Sequence, residues 1–317
     1  MEKFIKKTIL IIGATFTFFF LLGLFPNVIY DHVYPNYKLN LDFVNSKSAE
    51  ILFVGDSRMV SSVVSNQIPN SRNIGLVGST PIEGYFLLKK YFDNGFRAKS
   101  VFVSYAWDRL GNEYHPEIII QRGLPIGLYD YDSFVEILNV SIEIDQDFRK
   151  KIGIKNYLYA KTNSPILIGS ILKEFRFSNY QTNLEIYDKL NEQNGHITSV
   201  WGKNRICESC KSGENAMNHF RLKPIYDYYL RAMIELCIKN KIRLIFETIP
   251  FNESNTISSS VYKEFKKYIE ELSFTYPNAI LKDTLFYYPD NLYEDPHHLK
   301  PEGAEIYTEY LIEKFFN

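Results

Sequence analysis

Short apolar runs alternate with segments of helical periodicity along most of the chain. Continuous apolar runs of this length are typical of strands buried on both faces, and they occur at residues 50–54, 73–76, 101–104, 242–249 and 279–281. Apolar positions at helical spacing lie between and after them, from Arg58 onward and at 82–92, 225–240 and 301–316. Strands that alternate with helices predict an α/β domain with a parallel sheet covered on both faces.

This alternation stops between residues 109 and 223. Helical candidates at 133–138 and 165–175 lie there among loops rich in Asn, Gly and Tyr. A long insertion in an α/β domain is typical of a lid or a substrate-binding subdomain. The predicted organisation is an N-terminal anchor, an extended tether and an α/β domain carrying the insertion, at residues 1–30, 31–48 and 49–317.

The N-terminal segment has the pattern of a membrane anchor. Three lysines, Lys3, Lys6 and Lys7, precede a stretch at 8–25 that carries no charge. Eighteen helical residues span roughly 27 Å, close to the ~30 Å of hydrocarbon in a bilayer. Basic residues before the span and Asp31 after it predict a cytoplasmic N-terminus and an extracytoplasmic domain. The lipid bilayer is therefore the expected partner of residues 8–25.

Two other interpretations of this segment stay open. A cleaved signal peptide has an apolar core of about 7–15 residues and a small-x-small cleavage site. Residues 26–30, Pro-Asn-Val-Ile-Tyr, supply no such site. A buried helix of a soluble domain is the third interpretation.

Composition and charge exclude several classes of protein. The 36 basic and 37 acidic residues give a net charge of −1, so no positive field exists to hold a nucleic-acid backbone. The apolar share of 45% and the charged share of 23% are those of a folded protein and argue against disorder.

Three cysteines are too few for a disulfide scaffold. Cys207 and Cys210, in the insertion, are a candidate disulfide if the domain is extracytoplasmic. A zinc site would need two more ligands, and only His219 lies close in sequence. Cys237 is expected to be a small buried apolar residue. We predict no metal and no cofactor.

Candidate chemistry lies near the two ends of the α/β domain. Ser57 follows a predicted buried strand, so its hydroxyl is expected at the carboxyl edge of the sheet, where open α/β folds bind ligands. Asp295 lies three residues before His298. A carboxylate so placed can fix one ring nitrogen of the imidazole and leave the other to act as a base.

These segments resemble the signature blocks of the SGNH (GDSL-type) esterase and acyltransferase superfamily. Gly55-Asp56-Ser57 is similar to the first block, the segment at 73–80 to the second, and Asp295-x-x-His298-Leu299 to the last. The resemblance covers about residues 49–317 and implies a doubly wound, three-layer α/β/α fold. It implies Ser57 as nucleophile, His298 as base, Asp295 as its orienting partner, and the amides of Ser57 and Gly78 as oxyanion donors.

One block departs from the family pattern. The third block of the superfamily is Gly-x-Asn-Asp, and its Asn completes the oxyanion hole, whereas Trp107 occupies that position here. An indole donates a hydrogen bond but lacks the short reach of an amide. Losing one donor costs about 2.7–4 kcal/mol in the transition state. Either another donor such as Asn112 substitutes, or the hole has two donors, or catalysis is weak.

Residues beside these blocks are candidates for substrate or oxyanion support. They are Asp56, Arg58, Trp107 and Asp108. Asp108 is alternatively a helix cap, and Arg58 alternatively pairs locally or faces solvent. We expect His297 to be a solvated neighbour of the base His298. The alternative is that His297 is itself the base.

The resemblance is nearest to membrane-anchored members linked to acylation of cell-surface polymers, similar to alginate O-acetylation and teichoic-acid D-alanylation proteins. It implies a serine O-acyltransferase or esterase, with acetyl as the expected acyl group, acting on an extracytoplasmic glycan through an acyl-serine. The alternative is a catalytically weak or inactive protein of the same fold that binds glycan or partners a membrane-bound acyltransferase. Transfer and hydrolysis differ only in the acceptor, and both stay open.

Overall fold

Five parallel strands form the central sheet. In chain order they are β1 (Ile51–Gly55), β2 (Ser71–Asn73), β3 (Ser100–Ser104), β4 (Arg243–Phe246) and β6 (Ile280–Leu281), and their spatial order is β2-β1-β3-β4-β6. A separate parallel pair joins β5 (Phe251–Asn252) to β7 (Tyr287–Tyr288). The predicted α/β class and parallel sheet are confirmed.

The computed structural model describes residues 2–23, 33–105, 122–124, 126–153, 178–197, 220, 222–254 and 257–316. Several predicted features lie outside these ranges: Trp107, Asp108, Asn112, the helical candidate at 165–175, and the Cys207–Cys210 pair with His219.

Alternate residues of the strands pack into two separate cores. Phe53, Phe102 and Ile245 are aligned across β1, β3 and β4 and belong to one core, with Leu311 of the last helix. Their strand neighbours, such as Leu52, belong to the other core. Side chains of a strand point alternately to the two faces of its sheet, so helices cover both faces, as in a three-layer α/β/α arrangement.

Helices precede, separate and follow these strands along the chain. They are α1 (Glu2–Gly23), α2 (Tyr34–Ser46), α3 (Ser57–Ser62), α4 (Pro81–Asp93), α5 (Tyr131–Ile144), α6 (Gln146–Lys151), α7 (Ser178–Glu192), α8 (Pro224–Lys239), α9 (Ser259–Thr275) and α10 (Pro301–Phe315). Helices α4, α8 and α10 fall within about one residue of their predicted bounds. Each begins with a proline, which suits the first turn of a helix because its missing N–H has no helical partner there.

The predicted membrane span is not found in the described residues. Helix α1 covers 2–23, whereas the predicted span at 8–25 extends beyond the described part. Across the ranges given above, no helix combines the length and apolar character needed to cross a membrane.

The prediction of an extended tether at 31–48 is wrong for most of its length. Helix α2 occupies that segment, with Val33, Tyr37, Leu41 and Val44 buried. These apolar positions recur at helical spacing, and Pro35 lies in the first turn. Burial of this apolar stripe offsets the weak helix propensity of the Asn and Tyr residues around it.

The described parts of the insertion pack on the domain. Lys89 of α4 pairs with Glu136 of α5 at 2.9 Å, and Phe86 meets Tyr129 edge-on. After α7, the backbone N–H of Asn73 donates to the carbonyl of Asn194 at 2.9 Å. These segments of the insertion therefore extend the same core.

The second strand lies earlier than predicted. Strand β2 is Ser71–Asn73, whereas the apolar run was at 73–76. Residues Ile74 and Leu76 still donate their N–H groups to carbonyls of Phe53 and Gly55, at 2.8 and 2.9 Å, but outside a regular strand. Their buried apolar side chains explain the strand-like pattern of a segment that forms a loop.

Candidate catalytic site

Ser57 lies where the first strand turns into a short helix. Strand β1 ends at Gly55, and Asp56 caps α3 by accepting from the N–H of Arg58 at 2.9 Å. Ser57 is the first helical residue, so its N–H has no carbonyl one turn earlier in the helix to bond. The chain leaves β1 for β2 on one side and reaches β3 on the other, so Ser57 follows the strand at the topological switch point.

Gly55 permits the close packing of this turn. A Cβ at Gly55 would lie 2.0 Å from the carbonyl oxygen of Ser104 and 2.8 Å from the Cβ of Met59. Any side chain would therefore push β1 away from β3 or displace α3. The glycine of the Gly-Asp-Ser segment therefore has a steric role, because its lack of a side chain permits close packing of the turn that carries Ser57.

The structure brings Ser57, His298 and Asp295 into one hydrogen-bonded chain. The Oγ of Ser57 lies 2.9 Å from Nε2 of His298. The other ring nitrogen, Nδ1, lies 2.8 Å from Oδ2 of Asp295. The predicted contact between a hydroxyl from the first strand and an imidazole from the last loop is confirmed. The His298 side chain is 16% exposed, so it is shielded without being sealed from solvent.

Asp295 is held ionised by its surroundings. Burial alone would raise its pKa, but the hydrogen bond and electrostatic attraction of the His298 ring, with the backbone N–H groups of His297 and His298, lower the pKa of Asp295 to about 2. Those amides donate at 2.8 and 3.0 Å. An ionised carboxylate only accepts hydrogen bonds, so Nδ1 of His298 carries the proton and Nε2 presents its lone pair to Ser57.

The imidazole of His297 contacts Arg58, whereas the imidazole of His298 contacts Ser57. Nδ1 of His297 lies 3.0 Å from Nη2 of Arg58. A guanidinium only donates, so this nitrogen accepts, and neutral His297 carries its proton on Nε2. Arg58 is 5% exposed and also lies 5.5 Å from the centre of the Phe251 ring. Arg58 thus bonds to the histidine loop from inside the protein, and His297 is half-buried.

The loop that carries Gly78 is fixed to the nucleophile turn. The hydroxyl of Ser79 donates to the carbonyl of Gly55 at 3.1 Å, next to the bond from Leu76. Gly78 has φ +68°, a left-handed conformation that favours glycine. The second block therefore lies at the same edge of the sheet as Ser57.

Two buried asparagines of α2 hold this loop from behind. The side-chain amides of Asn36 and Asn40 donate to the carbonyl of Gly75 at 3.1 and 2.8 Å. The side-chain oxygen of Asn36 also accepts from the N–H of Val77 at 2.9 Å. Neither asparagine was predicted from the sequence to support the site, although the helical spacing of the apolar residues around them was a usable signal.

Arg122 is a second feature that the sequence did not reveal. Its Nη1 lies 2.7 Å from the position that a Cβ of Gly78 would occupy. Nothing in the local sequence marks it, because it lies in the insertion and reaches the site only through folding.

In the parts of the chain described by the structure, no group of three or more His, Cys, Asp or Glu residues could hold a metal ion.

Trp107, Asp108 and Asn112 lie outside the described residues, so their candidate roles stay predictions. Asp56 acts as a helix cap, as its contact with Arg58 shows.

No family model matches the chain, and no curated protein is significantly similar to it. The similarity of the three sequence blocks to the SGNH superfamily therefore stays a resemblance.

Proposed function

We propose that this chain is a serine acyl-ester enzyme of SGNH type, an O-acyltransferase or esterase that works through an acyl-Ser57. The observation that carries the proposal is the continuous chain of hydrogen bonds from Ser57 through His298 to Asp295, at 2.9 and 2.8 Å. A hydroxyl needs such a base to become a nucleophile, and the base needs an orienting group.

The proposed reaction has two halves. The Oγ of Ser57 attacks the carbonyl carbon of an acyl ester while Nε2 of His298 takes the hydroxyl proton. The ester C–O bond then breaks, and His298 returns this proton to the leaving oxygen. In the second half, His298 deprotonates a sugar hydroxyl or water, which attacks the acyl carbon and releases Ser57 with its proton.

The proposed substrate is an O-acyl group, with acetyl expected, on an extracytoplasmic glycan. The location follows from residues 1–30 alone, where three lysines precede an uncharged stretch. Protease treatment of intact cells tests it: the domain should be cleaved from outside. Protection of the domain until the membrane is opened would contradict the location and leave the chemistry untouched.

A fluorophosphonate probe tests the chemistry directly. The folded wild-type protein should be labelled, with the adduct on the peptide that contains Ser57, and Ser57→Ala should abolish labelling. Ser61→Ala is the matched control, since Ser61 lies on the same helix and its hydroxyl donates to the carbonyl of Arg58, at 3.2 Å.

Cellular acylation separates the enzyme from its alternative. In a strain whose only copy is Ser57→Ala, glycan O-acylation should fall while the level of this protein stays normal. Unchanged acylation in that strain would favour a non-catalytic protein that binds glycan or a membrane-bound acyltransferase. The same conclusion would follow if the folded wild-type protein were neither labelled nor active on acetyl esters.

A further inference from the structure

The guanidinium of Arg122 lies against the loop that is proposed to bind the oxyanion. A Cβ at Gly78 would lie 2.7 Å from Nη1 of Arg122, so this side chain occupies the space that glycine leaves open. Arg122 itself is half-buried. The contact brings a positive charge to the residue whose amide is expected to donate to the oxyanion.

The two donors are close enough to share one acceptor. A Cβ lies about 2.5 Å from the nitrogen of its own residue, so Nη1 of Arg122 lies within about 5 Å of the Gly78 nitrogen. Donors to an oxyanion lie about 2.7–3.1 Å from the oxygen. One oxygen placed between Nη1 and the Gly78 nitrogen can therefore accept from both.

The described residues leave the donors of the Arg122 guanidinium without a hydrogen-bond acceptor. Among the residues described here, none forms a salt bridge or hydrogen bond with its guanidinium. Among the described residues, the charge of Arg122 acts on Glu83, whose Oε2 already accepts from the N–H and the hydroxyl of Thr80. Burial raises the pKa of Glu83, and both Thr80 and the charge of Arg122 act against that rise.

We propose that Arg122 is a catalytic residue, the side-chain donor of the oxyanion hole. It would act with the backbone N–H groups of Gly78 and Ser57, in place of the amide that this chain lacks at Trp107. When Ser57 attacks, negative charge moves to the carbonyl oxygen, and the N–H of Nη1 donates to it. This inference rests on the proposed function, and it assigns a role to a residue outside the blocks that carry the resemblance.

Substitution with chemical rescue tests this role. Arg122→Ala should lower kcat on a neutral acetyl ester by about 10²- to 10³-fold with little change in KM, the effect of removing one oxyanion donor. Added guanidinium ion should restore part of the rate in Arg122→Ala and should not accelerate the wild type. Arg122→Lys, which retains a cationic donor, should lose less than Arg122→Gln. Arg243→Ala removes an exposed arginine at the opposite end of the sheet and is the matched control.

The outcomes separate this inference from the proposed function. A wild-type protein labelled at Ser57, together with an Arg122→Ala variant of wild-type kcat, overturns the role of Arg122 alone. A rise in KM at constant kcat also overturns it and assigns the guanidinium to ground-state binding of substrate. Absence of Ser57 labelling in the folded wild type overturns both proposals. If Arg122→Ala fails to fold, the comparison of Arg122→Lys with Arg122→Gln decides in the same way.

Discussion

Nη2 of Arg58 lies 3.0 Å from Nδ1 of His297 and so joins the helix of the nucleophile to the loop of the base. Arg58 follows Ser57 in sequence, and His297 precedes His298. The Arg58–His297 contact therefore joins the same two segments as the Ser57–His298 bond, one residue away in each segment. We call this contact the brace. It fixes the two segments at a distance at which proton transfer is direct.

Removing this brace should slow acylation without removing any group of the triad. In Arg58→Met, the loop at 295–298 loses the bond between His297 and α3 and retains only the reacting Ser57–His298 pair as its described link to that helix. We expect a drop in the rate of fluorophosphonate labelling of about 10- to 100-fold, because a misplacement near 1 Å has that effect. His297→Asn retains an oxygen acceptor near the position of Nδ1 and is the matched control. Labelling of Arg58→Met at the wild-type rate would show that the loop needs no such brace.

Asp295→Asn should strongly reduce kcat while the protein stays folded. A carboxamide can offer an N–H to Nδ1 of His298, which moves the imidazole proton to Nε2 and leaves no lone pair for Ser57. In serine proteases the corresponding change costs about 10⁴ in kcat, and we expect a loss of that order. The measurement is ester turnover, with circular dichroism as the control for folding. A loss of less than tenfold would mean that Asp295 does not set the tautomer.

Contacts within one strand–helix unit were predictable from the sequence, and contacts between distant elements were predictable only where a resemblance supplied them. An apolar run followed by Gly-Asp-Ser indicates where β1 ends, because strand burial and helix capping are local. The meeting of Ser57 with His298 depends on chain order in the sheet, which apolar periodicity does not determine. Its prediction came from the order of three sequence blocks.

Asn36, Asn40 and Arg122 show why the remainder was missed. Each reaches the site across a gap in sequence, and each belongs to a residue type that is common in loops and on surfaces. The Asn-rich composition of 31–48 favoured a tether, whereas the apolar stripe of α2 decides the fold. Composition was the weaker signal, since burial of apolar side chains outweighs local propensity.

Asn36→Ala should affect both stability and catalysis. It leaves the N–H of Val77 without its acceptor and removes one of the two donors to Gly75, which should cost about 1–3 kcal/mol in the free energy of unfolding. The loop that carries Gly78 would also lose its support, so kcat on an acetyl ester should fall.

Val44→Ala on the same helix is the matched control, because Val44 is fully buried in the hydrophobic core. It should lower the free energy of unfolding and leave kcat near the wild-type value. Equal kcat in Asn36→Ala and Val44→Ala would mean that α2 stabilises the domain without positioning the loop.

His196 should make the protein less stable in mild acid. It is 3% exposed, and its Nδ1 donates to the carbonyl of Val60 at 2.9 Å. Burial lowers its pKa to about 4, although the bond to Val60 acts in the other direction. An unfolded histidine has a pKa of about 6.5. Between these two values the unfolded chain binds a proton that the folded protein does not.

The free energy of unfolding should therefore fall as pH decreases from about 6.5 to about 4, by a total of about 3 kcal/mol from this residue. Above pH 6.5 its contribution is complete and constant. His196→Asn retains a side-chain N–H for Val60 but cannot titrate, so its unfolding free energy should change less across this interval. The free energy of unfolding in urea is measured for both proteins at pH 7.5, 5.5 and 4. Both proteins contain the same carboxylates, so the titration of these groups cancels in the difference between the two free energies. Parallel pH dependence of the two proteins would mean that His196 is protonated in the folded state, and that its burial against Val60 does not exclude the charged form.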